Sequence, residues 1–373
     1  MIVYGSALQN PALSEFKIFG NDGSDSISIS QATTFSTSLV QGGNGDDTIN
    51  IAANFFYAGG PLVVGSTIRG GADEDTINIF GGLSSSTVNG NKGDDLINVF
   101  GLMSNARVFG GSENDTIDLN RVSLRNSRVN GSNGSDTINI RNQTSMVDST
   151  VFGGAGNDFI NVAAFGTSTT NAYTVSGDLG NDIITLGRLV PFGDGADGDN
   201  VISTGEGNDE IRLRSADGDN TIDADVGADL VEFSILDTNG NNTVIFDRGD
   251  SVAATAFSAV GTLDNADTIT FGNSVDRITG FSFFADEIDV DFNTTGNIFE
   301  ILTTTDLNFV LNNNQVYFIE GTLVGDTFTM DDTLGTGSGI YILSGSNQTL
   351  GTALISNSNM IYSDAAIFAG NIV

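Results

Sequence analysis

Two apolar positions separated by one polar residue recur ten times between residues 27 and 233. The polar residue between them is outward-facing in this pattern, for example Asn50, Asn78 and Asn98. Alternation with a period of two predicts a β-strand with one buried face. The first apolar position of each pair is Ile27, Ile49, Ile77, Ile97, Ile117, Ile138, Ile160, Ile184, Ile211 and Val231, and the second is Ile29, Ile51, Ile79, Val99, Leu119, Ile140, Val162, Leu186, Leu213 and Phe233.

An aspartate lies two residues before each of these strands and closes a glycine-rich turn, as in 42–47 and 153–158. The spacing between successive aspartates is 20 to 28 residues. A repeat of about 20 to 50 residues is typical of a solenoid, in which each coil buries its apolar face against its neighbours. The ten aspartates are Asp25, Asp47, Asp75, Asp95, Asp115, Asp136, Asp158, Asp182, Asp209 and Asp229.

A second strand precedes each turn, with an apolar residue seven places before the aspartate, such as Val88 before Asp95. In most copies a small residue, such as Ser86 or Ala106, lies two places earlier again. The aspartate turn has a fixed length, and the variation in period falls in the opposite turn. We therefore expect an all-β fold, a right-handed parallel β-solenoid (β-roll) of about ten coils of 20–28 residues, each with two strands and two turns.

The repeat defines three segments: an N-terminal segment 1–17, the roll 18–249 and a C-terminal region 250–373. Segment 1–17 has no coil of its own, so it either extends the solenoid or inserts into a neighbouring subunit. After residue 250 the period fails, but alternation persists and predicts strands near 267–271, 308–311, 316–319, 340–343 and 352–355, with a hairpin turn at 312–315. We interpret this region as a β-rich cap on the open end of the solenoid.

The composition excludes several functions. The formal net charge is −34, which disfavours nucleic acid as a partner and opposes folding unless cations neutralise it. The 373 residues include no His and no Cys, so a histidine base, a Ser-His-Asp triad, a thiolate or a disulfide is not available. We predict no enzymatic activity. No apolar stretch is long enough to insert into a membrane, and residues 1–10 do not resemble a cleaved signal peptide.

The turn itself has the composition of a calcium site. Glycine allows backbone carbonyls to converge on one point, and aspartate adds a carboxylate; Ca²⁺ prefers such oxygens, whereas Mg²⁺ demands stricter geometry. We predict ions between consecutive coils, shared by successive aspartates, in a single row. The alternative is a β-solenoid without metal. The candidate metal ligands are the ten aspartates above together with the turn residues Gly42, Gly43, Asn44, Gly45, Gly70, Gly90, Gly110, Gly153, Gly154 and Gly156.

The turns resemble those of the repeats-in-toxin (RTX) family, whose nonapeptide is G-G-x-G-x-D-x-U-x with an aliphatic residue at U. The resemblance covers about residues 18–233 and implies a calcium-binding β-roll. This chain departs from the pattern because only one edge carries the turn, and Asp73 and Glu113 replace the glycine at position 4 in two copies. Residues 275–290 and the apolar end 367–373 resemble the region that directs type I secretion in that family. The resemblance thus implies an extracellular or cell-surface protein with an uncleaved C-terminal signal.

Two functions remain after these exclusions. The first is a secreted structural protein whose copies assemble into a surface layer, sheath or filament. The second is a calcium-dependent adhesin that binds polysaccharide, ice or a cell surface through its outward Thr and Asn rows. Five arginines suggest a basic edge that meets the acidic edge of another copy, although they could equally balance local charge; they are Arg107, Arg121, Arg125, Arg128 and Arg141.

Overall fold

The computed structural model confirms the all-β parallel solenoid. It describes residues 2–5, 12–32, 34–53, 61–120, 123–143, 146–164, 173–187, 199–214, 219–227, 229–233, 242–246, 256–257, 268–270, 276–279, 287–290, 299–302, 316–324, 327–330, 337–344 and 350–360. The chain divides into two compact units, residues 1–201 with 214–218, and residues 202–213 with 219–373.

Unit 1 contains the first twenty-four strands, each of two to seven residues. They are β1 Ile2–Gly5, β2 Ala12–Ser14, β3 Lys17–Asp22, β4 Ser26–Ala32, β5 Thr34–Ser36, β6 Leu39–Asn44, β7 Thr48–Ala53, β8 Pro61–Val64, β9 Thr67–Ala72, β10 Thr76–Phe80, β11 Gly82–Ser84, β12 Thr87–Lys92, β13 Leu96–Phe100, β14 Met103–Ser104, β15 Arg107–Ser112, β16 Thr116–Asn120, β17 Leu124–Arg125, β18 Arg128–Asn133, β19 Thr137–Gln143, β20 Met146–Val147, β21 Ser149–Ala155, β22 Phe159–Ala164, β23 Tyr173–Leu179 and β24 Ile183–Gly187.

These strands form three parallel sheets in place of the two we expected. Sheet A contains β1, β4, β7, β10, β13, β16, β19, β22 and β24. Sheet B contains the short strands β2, β5, β8, β11, β14, β17 and β20. Sheet C contains β3, β6, β9, β12, β15, β18, β21 and β23. From β1 to β21 each coil runs from sheet A through sheet B to sheet C.

Sheet B was missed because its strands are too short to show alternation. Each of its described core positions is a single buried apolar residue, three places before the small residue of the coil: Phe35, Val63, Leu83, Met103, Leu124 and Met146. The strands of sheets A and C, by contrast, alternate as expected, and their inward residues Ile97, Val99 and Val108 are fully buried. Each coil therefore adds apolar side chains to ladders that run along the interior. No single coil could bury these side chains alone.

The N-terminal segment extends the solenoid, one of the two alternatives left open by the sequence. Strand β1 pairs in parallel with β4, and Ile2 lies opposite Ile27. Strand β2 pairs with β5. Residues 2–22 thus supply all three strands of the first coil.

Unit 2 contains the remaining strands. They are β25 Val201–Glu206, which begins at the unit boundary, β26 Glu210–Arg214, β27 Thr221–Asp223, β28 Leu230–Phe233, β29 Thr243–Phe246, β30 Ala256–Phe257, β31 Thr268–Thr270, β32 Asp276–Thr279, β33 Glu287–Val290, β34 Phe299–Leu302, β35 Val316–Val324, β36 Thr327–Met330, β37 Gly337–Ser344 and β38 Leu350–Met360.

Parallel pairing continues from β26 to β28 and from β27 to β29, and then to β32 and β33. Beyond them most pairs are antiparallel, including β35 with β37 and β37 with β38. The expected strands near 267–271, 316–319, 340–343 and 352–355 are confirmed as parts of β31, β35, β37 and β38. The strand expected at 308–311, the turn at 312–315 and the segment 367–373 lie outside the described residues. That residues 250–373 act as a cap stays a prediction.

Candidate metal site at the aspartate corner

The turn that leads from sheet C to sheet A, which we call the aspartate corner, is organised around the repeated aspartate. The backbone N–H of Asp75 donates to Oδ1 of Asp95 at 2.8 Å, and the N–H of Asp95 donates to Oδ1 of Asp115 at 2.8 Å. The same bond joins other neighbours in the row at 2.7–2.8 Å: Asp25 to Asp47, Asp47 to Asp75, Asp115 to Asp136, Asp136 to Asp158 and Asp158 to Asp182. The ladder gives the aspartate a structural role that the sequence did not reveal.

The second carboxylate oxygen of these aspartates is buried without a hydrogen-bond partner. This holds for Oδ2 of Asp47, Asp75, Asp95, Asp115, Asp136 and Asp158, whose residues are only 1–2% exposed. A buried polar atom without a partner is strongly unfavourable. Asparagine could form the same ladder through its own Oδ1 and carries no charge. The choice of aspartate therefore has a cost that the protein alone does not offset.

Burial raises the pKa of these carboxyl groups above their usual value. The pKa of Asp75 and Asp95 rises to about 7, and that of Asp115 and Asp158 to about 8. The pKa of Asp136 rises to about 6. Loss of solvation is the largest cause in each, partly opposed by the N–H donor from the preceding coil. A cation or a proton would relieve the same buried charge.

The first glycine of the turn is needed because the aspartate packs against it. A Cβ on Gly42 would lie 2.1 Å from Oδ2 of Asp47 and 2.7 Å from the carbonyl oxygen of Gly70 in the next coil. A Cβ on Gly90 would meet Asp95 Oδ2 at 2.0 Å and the Gly110 carbonyl oxygen at 2.6 Å. The same approach recurs at Gly70, Gly110, Gly131 and Gly153. In five of these six turns, all but that of Gly70, an unpartnered carboxylate oxygen and a carbonyl oxygen of the next coil thus both approach the glycine, and both are ligand types that Ca²⁺ prefers.

We number the turn from its first glycine, so that the aspartate is position 6. Positions 2 and 4 require a left-handed backbone. At position 2 Gly43, Gly71 and Gly154 have φ between 120° and 146°. At position 4 Gly45 and Gly156 have φ of 98° and 130°. Glycine adopts these angles without strain. Asn44, at position 3, is exposed and donates from its side chain to Asp22 at 2.8 Å.

The two acidic departures from the motif share one contact. Asp73 and Glu113 occupy position 4 with φ of 77° and 76°. The carboxylate of Asp73 accepts the N–H of Gly45 at 2.9 Å, and that of Glu113 accepts the N–H of Gly93 at 2.6 Å. Each carboxylate therefore caps the position-4 glycine of the preceding coil, which explains why both replacements are acidic.

Sequence reasoning also missed a second ladder at position 5. The N–H of Asn114 donates to Asp94 at 2.8 Å, and the N–H of Ser135 donates to Asn114 at 2.8 Å. The N–H of Asn181 donates to Asn157 at 2.8 Å. This ladder runs opposite to the aspartate ladder, since here the later coil donates to the earlier one. Its signal was the frequency of short polar side chains at position 5, which holds Asp, Asn or Ser in eight of the ten turns.

The corner between sheets B and C, which we call the serine corner, has the same hydrogen bond from a backbone N–H to a side-chain oxygen of the next coil, but the side chain is uncharged. The N–H of Ser66 donates to Oγ of Ser86 at 3.1 Å, and that of Ser127 donates to Oγ of Ser149 at 3.2 Å. Each hydroxyl also donates to the carbonyl oxygen two residues earlier, Ser86 to Ser84 at 2.9 Å and Ser149 to Val147 at 2.9 Å. The hydroxyl oxygen of each of these two serines therefore has both a donor and an acceptor partner.

The remaining candidates lie at the ends of the row. Asp25 is half-buried in the first aspartate turn, and Asp182 is buried in the last turn of unit 1. Asp209 and Asp229 belong to unit 2, where the N–H of Asp209 donates to Asp229 Oδ1 at 2.7 Å. There Thr204 takes the place of the first glycine and donates its hydroxyl to the Ala224 carbonyl at 2.8 Å. The turn of Asp209 thus differs from those of unit 1.

The described residues contain no group of three or more acidic side chains placed to hold one metal ion. A calcium ion in this row would therefore need backbone carbonyls beside each carboxylate.

Among the described residues no helix is long and apolar enough to cross a membrane. Comparison with known proteins finds no matching family model and no matching curated protein. The resemblance to the RTX family rests on the turn motif.

Proposed function

We propose that this chain is a secreted, calcium-dependent structural protein whose copies assemble into a surface layer, sheath or filament. In this proposal Ca²⁺ lies in a row along the aspartate corner and drives folding and assembly. Secretion through the type I route, with an uncleaved C-terminal signal, follows from the resemblance to the RTX family and belongs to the same proposal.

The observation that carries the proposal is the row of buried, unpartnered Oδ2 atoms from Asp47 to Asp158. Burial disfavours the charged form of these carboxyl groups and so raises their pKa. At neutral pH their charge therefore opposes folding. A divalent cation removes that penalty and supplies the partner that each oxygen lacks. Since consecutive coils must stack before carboxylate and carbonyl oxygens converge, ion binding is coupled to folding of the solenoid.

The ligands in this proposal are side-chain and backbone oxygens of the corner. Oδ2 of the aspartates in the row would provide the charge, and carbonyl oxygens such as those of Gly70 and Gly110 would add neutral ligands toward the roughly six to eight oxygens that Ca²⁺ takes. When bound, the ion supplies charge neutralisation and no chemistry on a substrate. The chain has no His and no Cys, and we expect no enzymatic activity.

A calcium-dependent adhesin is the second candidate, because sheet A presents regular polar rows. Thr48 lies opposite Thr76. The side chains of Asn50, Asn78 and Asn98 form a ladder in which the amide N–H of one residue donates to the amide oxygen of the next at 2.8–2.9 Å. Such a face could bind polysaccharide, ice or a cell surface. The amides of this ladder already bind each other, which leaves fewer groups for a ligand and makes this function the second choice.

Electron microscopy of the purified chain, with calcium and with chelator, tests the proposal. Ordered sheets or fibres that form only with calcium are the expected result, together with loss of the β circular-dichroism signal in chelator. Monomers under every calcium concentration would contradict assembly, and a spectrum that chelator leaves unchanged would contradict calcium-dependent folding. Glycan-binding and thermal-hysteresis assays on a calcium-bound monomer would then test the adhesin.

A further inference from the structure

The outward face of sheet C differs in charge from the rest of this acidic chain. Its two outward rows between β3 and β21 contain no acidic residue, although the chain has 47 Asp and Glu. Four positions on the face are basic and exposed: Lys17, Arg69, Arg107 and Arg128. The rows are Lys17, Leu39, Thr67, Thr87, Arg107, Arg128, Thr150 and Phe19, Gln41, Arg69, Asn89, Phe109, Asn130, Phe152.

Two of these arginines are direct neighbours in the sheet. Arg107 lies opposite Arg128 in the register of β15 and β18. Like charges on adjacent strands repel each other, so this pair needs compensation from elsewhere. The guanidinium of Arg128 lies 4.2 Å from the ring centre of Phe152, and within the described part of the chain neither arginine forms an ion pair with a carboxylate. The face thus combines uncompensated positive charge with partly exposed aromatic rings.

The other arginines of the sequence hypothesis do not share this face. Arg125 lies on sheet B, and Arg141 lies at the end of a sheet A strand, where it pairs with Asp118. Arg121 lies outside the described residues. The basic surface is therefore a face of sheet C and not the variable edge of the coil.

A complementary acidic surface exists on the same molecule. The aspartate corner exposes a carboxylate in successive coils in addition to the buried row. These exposed groups are Asp22, Asp46, Asp73, Glu74, Asp94 and Glu113. Because one turn and one strand of sheet C occur in every coil, both surfaces repeat with the spacing of neighbouring strands, about 4.8 Å.

We propose that the outward face of sheet C docks against the aspartate corner of a second copy of this chain. The proposal rests on the self-assembly put forward above and names its interface. Two rows with the same repeat can align along many coils, so weak exposed charge pairs act together. The two surfaces are different patches of one chain. When two copies dock, one copy keeps a free sheet C face and the other keeps a free aspartate corner. Such a heterologous contact continues into open-ended assemblies.

A second copy of the chain fits this face better than a free polyanion does. The net charge of −34 repels a polyanion from the molecule as a whole, and only a partner whose acidic groups are spaced like the coils can engage the whole face. A polyanion remains a possible outcome of the test below.

The test compares two double variants with the same change in net charge. R107Q/R128Q removes charge from the face, and R125Q/R141Q removes it from sheets B and A. With calcium, sedimentation velocity should show self-association of the first variant weakened about tenfold or more, and wild-type behaviour of the second. Circular dichroism of both confirms that the solenoid folds.

A charge-reversal mixture sharpens the result. R107E/R128E alone and D46K/E74K alone should each assemble poorly, whereas a mixture of the two should assemble again because each offers the surface that the other needs. Assembly of R107Q/R128Q at the wild-type level, in a wild-type protein that does assemble, would overturn this interface and leave the proposed function standing. A wild-type protein that stays monomeric would overturn both, and retention of that monomer by immobilised polygalacturonate through Arg107 and Arg128 would assign the face to a polyanion.

Discussion

The aspartate corner and the serine corner solve the same problem with different results. At both, a side-chain oxygen accepts a backbone N–H from the neighbouring coil, at 2.8 Å for Asp95 and 3.1 Å for Ser86. The serine hydroxyl also donates its own proton to a carbonyl oxygen. The aspartate keeps a second oxygen that is buried and unpartnered. The serine hydroxyls are satisfied within the chain, whereas the second oxygens of the aspartates are not.

The comparison explains why we propose an external ion for only one of the two corners. Serine is neutral, so burial of its satisfied hydroxyl is inexpensive. A buried carboxylate without a partner is disfavoured in its charged form. The same stacking geometry therefore produces one corner whose side-chain oxygens have partners within the chain and one whose buried carboxylate oxygens do not, on either side of sheet C.

The largest difference between the corners should appear with pH in the calcium-free protein. The folded pKa values of Asp75, Asp95, Asp115, Asp136 and Asp158 lie at about 6 to 8, above the ordinary value of 3.8. A raised pKa gives stability that is present below pH 3.8 and is lost as pH rises through the folded pKa. In chelator the β circular-dichroism signal should therefore be strongest near pH of about 4, weaken as pH rises above that value and be lost by pH of about 8. An identical melting temperature at pH 5 and pH 9 would contradict the buried charge.

Gly42→Ala should give the next largest effect. The new Cβ would meet Asp47 Oδ2 and the Gly70 carbonyl, and relief requires movement of the neighbouring coil. We expect a loss of about 3 kcal/mol, at the upper end of overpacking. The matched control is Gly65→Asn before the serine corner, because Gly65 has φ of 55° and open space, and Asn105 and Asn126 already occupy the equivalent position at φ of 51° and 47°. Urea denaturation should separate the two, and equal losses would refute the close approach.

Much of this architecture could be predicted from the sequence. Each sheet A strand has two inward residues, such as Ile97 and Val99, so its alternation was evident. Each sheet C strand has an inward residue at a fixed distance before the aspartate, so its register was evident. The strands of sheet B have one inward residue, such as Met103, and no alternation to detect. The position-6 aspartates were predicted to be metal ligands, and position 5 was not singled out. Their ladder bonds depend on which atoms of neighbouring coils approach, and a single copy of the repeat does not contain that information.

Ser86→Ala should have the smallest effect, and one that calcium does not change. The substitution leaves the buried N–H of Ser66 without its acceptor. We expect a loss of about 1–2 kcal/mol, the penalty of one unsatisfied buried donor. Thermal unfolding with and without calcium should show the same loss in both conditions. A loss present only with calcium would mean that the two corners are not independent.

The most direct test of the central claim, that the aspartate corner is completed by calcium, is a calcium titration of the melting temperature of wild-type protein and of D75N/D95N/D115N. Asparagine keeps the ladder acceptor and removes the buried charge. The variant should melt higher than wild type in chelator, by about 2–4 °C for each kcal/mol regained, and should gain less from calcium. A wild-type melting temperature that calcium leaves unchanged, with a variant that is only destabilised, would contradict the account.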